Sequence, residues 1–353
     1  MKIWIISDTH IGNSSGNKEW FEIFEDCYNN FLYPLFRKNV KKGDILIHCG
    51  DVFEERQSIN LYAIKVGVGV FEDLGKLFSH VHVICGNHDV QNDKNNNITS
   101  LECLKYIANI SVYKEPASIS YCGKSIALIP WENNNEKFLQ TVSNYSNSDY
   151  IFCHADILGA TMNASKTKSK NGVDAEGLKS AKKIYSGHIH HRHDYKNVTF
   201  VGSPYSMDFN DVDNKKGVYS IDMETGEVEF YPNNVSPEFK RVAYNEIVKQ
   251  GMDAVKSVLS NNFVELVVQQ GETDTKQYQN FIREADVNGG ARNLVPKYAP
   301  GVEEVINMEV AGINENMTLE DMTYAYVDNV LECNNQDTKE KVKIIISRLF
   351  KNG

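Results

Sequence analysis

Near its start the chain reads Lys2-Ile3-Trp4-Ile5-Ile6-Ser7-Asp8-Thr9-His10, an apolar run that ends in a carboxylate and an imidazole. The run has the length and the isoleucine content of a buried β-strand. Asp8 and His10 are two residues apart, so on an extended chain they would share one face, and at a strand end both could reach one metal ion. The stretch therefore predicts a strand that carries two metal-binding side chains to the edge of a sheet.

The same arrangement, a polar motif directly after an apolar run, recurs further along the chain. The later motifs are Gly50-Asp51, Gly86-Asn87-His88-Asp89, His154 and Gly187-His188-Ile189-His190. Each motif alone is a weak signal, because an isolated histidine is more often a surface or hydrogen-bonded residue than a ligand. Since each follows a predicted strand, their combination indicates that distant parts of the chain converge at one site.

These motifs supply carboxylate oxygen and imidazole nitrogen, the ligand types that many divalent ions prefer. Gly50 would let the backbone turn so that Asp51 projects into the site, and one Asp between two ions about 3.5–4 Å apart can bridge them. Asn87 adds a neutral amide oxygen, without negative charge that would repel a phosphate. The set suits two-metal hydrolysis of a phosphate ester.

The order of predicted elements indicates an α/β fold in layers, with sheets covered by helices. Lys18–Asn39 and Ser58–Phe78 have apolar residues at helical spacing and are predicted helices, and Gly217–Met223 with Glu227–Tyr231 predict a hairpin. The other predicted strands are Lys2–Ser7, Asp44–Cys49, Val81–Cys85, Ser125–Pro130, Tyr150–Cys153, Lys183–Ser186 and Val198–Val201.

The pattern changes beyond a boundary near Pro232–Pro237. Phe263–Gln269 predicts a strand, Asp274–Ala285 a helix and Gly289–Pro300 a loop, while Leu319–Phe350 has two amphipathic helical patterns. The apolar faces of these patterns comprise Leu319, Met322, Tyr326, Val327, Val330 and Leu331 in the first, and Val342, Ile345, Ile346, Leu349 and Phe350 in the second. Such faces either pack into the chain's own core or bind a partner.

With 353 residues, 41% hydrophobic and 24% charged, the chain has the composition of a globular protein. No apolar run approaches the roughly 18 residues that span a bilayer, and the charge of Asp8 interrupts the first apolar run too early for a secretion signal. We therefore expect a cytoplasmic protein with no membrane partner. The net charge of −10 argues against non-specific coating of nucleic acid by the whole surface, but it leaves room for a local basic groove.

The most basic stretch lies between His154 and His188. Its lysines are Lys166, Lys168, Lys170, Lys179, Lys182 and Lys183. Either they contact DNA phosphates, which would make binding sensitive to salt, or they form a solvated loop and helix face. The nearest approach to a phosphate-binding loop, Gly123-Lys124-Ser125, has Ser118 where that motif requires its first glycine, so we expect no ATP hydrolysis.

The order of the motifs resembles that of the calcineurin-like metallophosphoesterases. Gly50-Asp51-Val52-Phe53, the Gly86-Asn87-His88-Asp89 box and Gly202-Ser203-Pro204 resemble the SbcD-type branch, the nuclease subunit of a DNA double-strand-break repair complex. The Asn233-Asn234 region and the overall size resemble the recombination nuclease subunits of T4-like bacteriophages. The resemblance is specific over roughly residues 1–235 and loose beyond.

The resemblance implies two manganese ions, with magnesium as the alternative. It places Asp8, His10, Asp51 and His190 at one ion, and Asp51, Asn87, His154 and His188 at the other. His88 matches a non-ligand histidine that stabilises the transition state and helps the leaving oxygen depart. Glu54 stands where many relatives have a histidine linked to exonuclease geometry, so the balance of exonuclease and endonuclease activity stays open.

The resemblance also implies a domain organisation and partners. It implies a β-sandwich nuclease domain flanked by helices over residues 1–235, a small α+β capping and DNA-binding domain over 236–312, and a helical ATPase-docking segment over 313–353. The implied partners are double-stranded and single-stranded DNA, an SbcC-type ATPase and a second copy of the chain.

The function expected is that of a manganese-dependent DNA exonuclease and endonuclease subunit in recombination and double-strand-break repair, acting in the host cytoplasm if phage-encoded. A protein phosphatase or another phosphodiesterase of the same superfamily is an alternative. The phosphatase is disfavoured because such enzymes typically carry a G-D-x-x-D-R-G run and a G-N-H-E box, whereas this chain has Glu55 at the arginine position and Asp89 at the glutamate position. A non-catalytic scaffold that binds DNA ends is a further alternative, which the complete ligand set disfavours.

Overall fold

The computed structural model describes residues 1–92, 95–269, 271–299, 319–329, 339 and 342–343. The chain divides into two compact units, the first formed by Met1–Lys240 with Asn261–Phe263 and the second by Arg241–Ser260 with the described residues from Val264 onward. Among the described residues, no helix combines the length and the apolar character that crossing a bilayer requires. The division into segments 1–235, 236–312 and 313–353 stays a prediction.

The strands alternate with helices in the first half of the chain and follow one another closely afterwards, as predicted. In chain order the strands are β1 (Lys2–Ile6), β2 (Ile45–His48), β3 (His80–Ile84), β4 (Val90–Asn92), β5 (Asn95–Thr99), β6 (Ile110–Tyr113), β7 (Ala117–Tyr121), β8 (Lys124–Ile129), β9 (Tyr150–His154), β10 (Ile184–Gly187), β11 (His193–Tyr195), β12 (Val198–Phe200), β13 (Gly217–Asp222), β14 (Val228–Pro232), β15 (Phe239–Ala243), β16 (Phe263–Val268) and β17 (Asn293–Tyr298). The α-helices are α1 (Asn13–Gly16), α2 (Lys18–Asp26), α3 (Tyr33–Asn39), α4 (Leu61–Leu77), α5 (Asn135–Asn144), α6 (Tyr244–Ile247), α7 (Met252–Leu259), α8 (Lys276–Asn288) and α9 (Leu319–Asn329).

Two six-stranded sheets form the first unit. Their strand orders are β14-β13-β1-β2-β3-β6 and β11-β12-β10-β9-β8-β7. In the first sheet β1, β2, β3 and β6 are parallel, and in the second β8, β9, β10 and β12 are parallel. Parallel strands present their carboxyl ends at the same edge, so the polar residues after them are brought together in each sheet.

Side-chain alternation along the strands separates the layers of the sandwich. On β1, Ile3 and Ile5 join a core that also contains Leu128 and Phe152 of the second sheet, so the two sheets pack face to face. Trp4 and Ile6 belong to a separate core that includes residues of α2, α3 and α4. A third core covers the outer face of the second sheet with α5. The predicted layered α/β fold is confirmed.

One predicted helix contains an irregular segment, and one predicted loop was wrong. The predicted helix Lys18–Asn39 is interrupted by a π-helical segment, Cys27–Leu32, just before Pro34, which lies in the first turn of α3. Proline has no N–H to donate into the preceding turn, and a π-turn accommodates that loss. The predicted loop Gly289–Pro300 contains β17, whose Pro296 is tolerated because β17 is an edge strand.

The second unit is an α+β structure with its own core. Strands β15, β16 and β17 form its sheet, and the buried side chains come from this sheet and from α6, α7 and α8. Only part of the predicted docking surface is described: Val327 on α9 is buried. Val330, Leu331, Ile345, Ile346, Leu349 and Phe350 lie outside the described residues.

Candidate metal centre

The strand ends of both sheets meet at one edge of the first unit. Asp8 follows β1, Asp51 follows β2, Asn87 follows β3, His154 ends β9 and His188 follows β10. The backbone links these ends directly, since the Asp8 N–H donates to Gly50 O at 3.0 Å and the His10 N–H donates to Asp51 O at 3.1 Å. The five motifs of the sequence therefore form one site.

The backbone of this site is strained. Asp8, His10, Asp51 and His188 have φ values of 53°, 43°, 56° and 83°, in the left-handed region that costs a non-glycine residue about 1–3 kcal/mol. Such strain persists only where the surrounding structure enforces it, and it is concentrated at functional sites. Its presence at four predicted site residues sets them apart from ordinary strand ends.

Two glycines allow the loops to approach one another. Gly50 has a φ of 98°, as the sequence predicted, and a Cβ there would overlap with the ring of His154. A Cβ on Gly86 would overlap with the Asp51 carboxylate. These positions hold glycine because the side chains of the site occupy the space that any other residue would need.

Asp51 lies at the centre of the site. Its Oδ2 is 3.6 Å from His10 Nε2 and 3.3 Å from His154 Nε2, while its Oδ1 accepts a hydrogen bond from the His88 N–H at 2.8 Å. Three groups of side chains have ligand atoms close enough to hold an ion: Asp8 with His10 and His190, His10 with Asp51 and His88, and Asp51 with His154 and His188. Asp51 can therefore face both of the predicted ion positions.

Asn87 and His190 complete the predicted set. Asn87 Oδ1 is 2.8 Å from His154 Nε2 and 2.8 Å from His188 Nδ1. His190 Nε2 is 3.0 Å from His10 Nε2. All seven side chains expected as ligands are thus in one cluster, with their ligand atoms turned inward.

The chemistry of this cluster fits a pair of cations. His154 Nδ1 is 2.8 Å from Cys49 O, and its Nε2 faces Asn87 and Asp51, yet a neutral imidazole can donate only one hydrogen. The Nε2 atoms of His10 and His190 face each other. Two nitrogen lone pairs repel at this distance, so a proton or a cation must lie between them. Asp8 Oδ2 is buried and accepts no hydrogen bond within the described residues. The inward-facing lone pairs therefore need positive charge, which protons on the imidazoles or bound cations can supply.

Burial and charge set the ionisation of the cluster. Burial lowers the pKa of His188 to about 3 and that of His190 well below its usual value, so both rings are neutral. Burial also acts to lower the pKa of His154, but the charge of Asp51 outweighs it and raises that pKa to about 9. Burial acts to raise the pKa of Asp51, but the charge and hydrogen bond of His154 hold it well below its usual value. The centre is an ionised carboxylate whose field favours a cation.

His88 lies at the rim of the cluster. Its side chain is 28% exposed, and its Nδ1 lies 2.8 Å from Glu54 O, a carbonyl that can only accept. The Nδ1–H is therefore the donor, which leaves Nε2 for another contact. The ring packs edge-on against His10, with centroids 4.9 Å apart.

Sequence reasoning assigned no role to several residues that hold the cluster in place. Asp89 accepts backbone N–H groups from Asp51 at 2.8 Å and Gly86 at 2.9 Å through Oδ2, and from Val52 at 3.0 Å and Phe53 at 3.3 Å through Oδ1. It thereby ties the loop after β2 to the loop after β3. Its position in the Gly86-Asn87-His88-Asp89 motif was the only feature of the sequence that could have indicated this role.

Trp131 and Lys216 also support ligand histidines. Trp131 follows β8, and its ring stacks on His188 with centroids 5.1 Å apart and packs edge-on against His154 at 5.9 Å. The buried Lys216 donates to His190 O at 2.7 Å and pairs with Asp211 at 2.5 Å. Trp131 could have been identified from the sequence, because it follows a predicted strand as the ligand motifs do. Nothing in the sequence connects Lys216 with His190.

The structure separates the lysines that were grouped in the sequence. Lys166, Lys168 and Lys170 lie on an exposed loop, whose neighbouring residue Asn163 lines a cavity of about 200 Å³ together with His188 and His190.

By contrast, Lys182 and Lys183 precede β10, at the end opposite His188, and they pair with Asp149 at 3.0 Å and Asp194 at 3.7 Å. Lys179 pairs with Glu176. The predicted DNA contacts therefore fall into two groups, of which only the loop lysines are near the cluster.

Comparison with known proteins gives a family and one related nuclease. The family model for calcineurin-like phosphoesterases matches residues 1–223. Exonuclease subunit 1 of Enterobacteria phage T4 is 29% identical over 241 residues, which cover 67% of this chain and 69% of that protein.

Solved structures give weaker likenesses. An archaeal phosphodiesterase is 17% identical with a TM-score of 0.36, over 66% of this chain and 100% of its own. A protein of unknown function from Aquifex aeolicus is 17% identical with a TM-score of 0.27, over 43% of this chain and 79% of its own. Scores this low add nothing to the description of the site.

We expect Asp89→Asn to destabilise the protein by about 3 kcal/mol or more, because two buried N–H groups would face an amide NH₂ instead of an oxygen. Urea denaturation at pH 8 measures the change in the free energy of unfolding. Asp73→Asn is the matched control, since Asp73 forms an exposed pair with Lys76 of the kind worth about 0–1 kcal/mol. An Asp89→Asn protein as stable as the control variant would contradict the tethering role.

Proposed function

Since the chain belongs to the calcineurin-like phosphoesterase family, it is a hydrolase of phosphoesters, and we propose that its substrate is DNA. In this proposal the protein is a manganese-dependent exonuclease and endonuclease subunit of a recombination and double-strand-break repair complex. The observation that carries the proposal is the convergence of the other six candidate ligands around Asp51. The relative in phage T4, named an exonuclease subunit, supports DNA as the substrate.

Asp8, His10, Asp51 and His190 would hold one ion, and Asp51, Asn87, His154 and His188 would hold the other. The combination of imidazoles with carboxylates suits manganese, and magnesium is the alternative because oxygen ligands suit it as well. A pair of divalent ions supplies charge neutralisation at the phosphate oxygens and activation of a water molecule as nucleophile. Burial of the cluster strengthens these interactions, because solvent screens buried charges less than exposed ones.

His88 would hold the proton that the leaving oxygen needs. Its Nδ1–H is engaged by Glu54 O, so the proton passed to a leaving 3′ oxygen would be the one on Nε2. The partial exposure of His88 at the rim places it where a substrate strand can reach it, unlike the buried His154.

The loop lysines are proposed to contact the DNA backbone. Lys166, Lys168 and Lys170 are exposed near the cluster, whereas Lys182 and Lys183 lie beyond the opposite end of β10, so the proposal now rests on the first three. A protein that binds through phosphate contacts could bind both double-stranded and single-stranded DNA, because such contacts do not depend on base identity.

The chain is also proposed to act within a larger complex. The T4 relative is a subunit, so we propose that this chain also acts within a complex. Its partners would be an SbcC-type ATPase docked on residues 313–353 and a second copy of the chain. The site of action would be the cytoplasm, or the host cytoplasm if the chain is phage-encoded.

Substitution of the central residues should abolish manganese-dependent cleavage of end-labelled duplex and hairpin DNA. We expect losses of at least about 100-fold for Asp51→Asn, Asn87→Ala and His88→Ala. His88→Ala should still bind manganese, because His88 acts on the leaving oxygen rather than as a ligand. His80→Ala, at the start of β3, is the histidine control and should cleave normally. Near-normal cleavage by all three site variants would refute the assigned roles.

Neutralising the loop lysines should weaken the salt dependence of DNA binding. For Lys166→Gln/Lys168→Gln/Lys170→Gln, the slope of log affinity against log salt should fall by about 0.7–0.9 for each phosphate that the variant no longer neutralises. Lys182→Gln/Lys183→Gln removes charge from the same sequence stretch and should leave the slope unchanged. Equal slopes for the two variants would remove the loop from the DNA interface.

Deletion of residues 317–353 should abolish capture of an SbcC-type ATPase in a pull-down, because the proposed docking faces are removed. Circular dichroism checks that the shortened chain still folds, and full-length Asp51→Asn serves as a control that should retain the ATPase. Retained binding by the deletion variant would place the docking surface elsewhere.

A further inference from the structure

We propose that Glu54 is a positioning residue, which orients His10 toward one metal ion through its side chain and fixes His88 through its backbone carbonyl. Glu54 Oε2 is 2.5 Å from His10 Nδ1, and Glu54 O accepts from His88 Nδ1 at 2.8 Å. One residue thus contacts both a candidate ligand and the candidate proton donor. This inference rests on the proposed metal-dependent function.

The geometry distinguishes Glu54 from a metal ligand. His10 Nε2 faces the cluster, 3.6 Å from Asp51 Oδ2 and 3.0 Å from His190 Nε2, whereas Glu54 lies on the Nδ1 side of the same ring. A carboxylate there favours the tautomer with hydrogen on Nδ1 and a lone pair on Nε2, and it raises the basicity of that lone pair. Glu54 therefore acts on the ion through His10.

The contact also differs from an ordinary surface ion pair. The His10 side chain is 2% exposed and that of Glu54 is 30% exposed, so solvent screens the interaction less than it screens an exposed pair. The backbone of Glu54 is held as well, because its N–H donates to Ile11 O at 3.2 Å. A tethered backbone and a buried partner give the carboxylate a defined position.

The two ligand imidazoles near Asp51 are supported differently. His154 Nδ1 contacts a neutral carbonyl, Cys49 O, at 2.8 Å, while His10 Nδ1 contacts a charged carboxylate. Because an interaction with a charged partner is stronger than one with a neutral carbonyl, the ion at His10 should depend on its supporting residue more than the ion at His154. Loss of the Glu54 carboxylate should therefore weaken binding of the ion at His10 and leave binding of the ion at His154 unchanged.

The test is a manganese titration of the full-length wild type, Glu54→Gln and Glu55→Gln, by calorimetry and by tryptophan fluorescence. Trp131 stacks on His188, so manganese quenching of its fluorescence would report the ion at His188, and Trp131→Phe identifies that signal. Glu55→Gln removes the same charge from the next residue and is the matched control.

We expect Glu54→Gln to lose roughly 10–100-fold in affinity at one of two calorimetric sites. The midpoint of Trp131 quenching should stay within about twofold of wild type, and excess manganese should restore DNA cleavage. Glu55→Gln should bind both ions like the wild type.

Wild-type affinity at both sites in Glu54→Gln would overturn the inference while leaving the proposed function intact. Equal weakening of both sites, together with a lower unfolding temperature, would also overturn it, because Glu54 would then be a general structural residue. A wild-type protein that binds two manganese ions but cleaves no DNA would refute the proposed function, and selective loss in Glu54→Gln would still support the role of Glu54. A wild type that binds no manganese would refute both.

Discussion

The arrangement of the site depends on one electrostatic constraint: a buried, ionised Asp51 lies among the imidazoles of His10 and His154 and needs positive charge beside it. Burying such a carboxylate without compensating charge costs several kcal/mol. Imidazoles of His10 and His154 lie within 3.6 Å of it, and their second nitrogens are engaged by Glu54 and Cys49. The cluster therefore needs positive charge among these atoms. Protonated imidazoles such as His154 can supply it, because the charge of Asp51 raises the pKa of His154 to about 9 against the effect of burial, and a pair of divalent cations could supply it in their place.

The fold supplies this cluster through its topology. Parallel strands β1, β2 and β3 of one sheet and β9 and β10 of the other end at a common edge, and glycines at positions 50 and 86 let the loops come close enough for side chains from both sheets to meet. The left-handed backbone at Asp8, Asp51 and His188 is the conformational cost of turning these side chains inward. Asp89 offsets part of that cost by accepting the N–H groups that the turns leave unpaired.

The layered fold and the convergence of the candidate ligands could be predicted from the sequence because both follow from a local pattern, an apolar run followed directly by a polar motif. Features that depend on the path of loops could not. The contact of Glu54 with His10 requires the loop after β2 to fold back, and the separation of Lys166 from Lys182 depends on the path of the loop that carries Lys166, because Lys182 lies just before the start of β10. Edge strand β17 was missed because Pro296 argues against a strand unless the strand's place in the sheet is known.

Anomalous scattering at the manganese edge, measured on crystals soaked in manganese, would show whether Asp51 contacts two cations. We expect two peaks about 3.5–4 Å apart, one near Asp8, His10 and His190 and the other near Asn87, His154 and His188, with the Asp51 carboxylate in contact with both. A single peak, or peaks that Asp51 does not touch, would contradict this expectation.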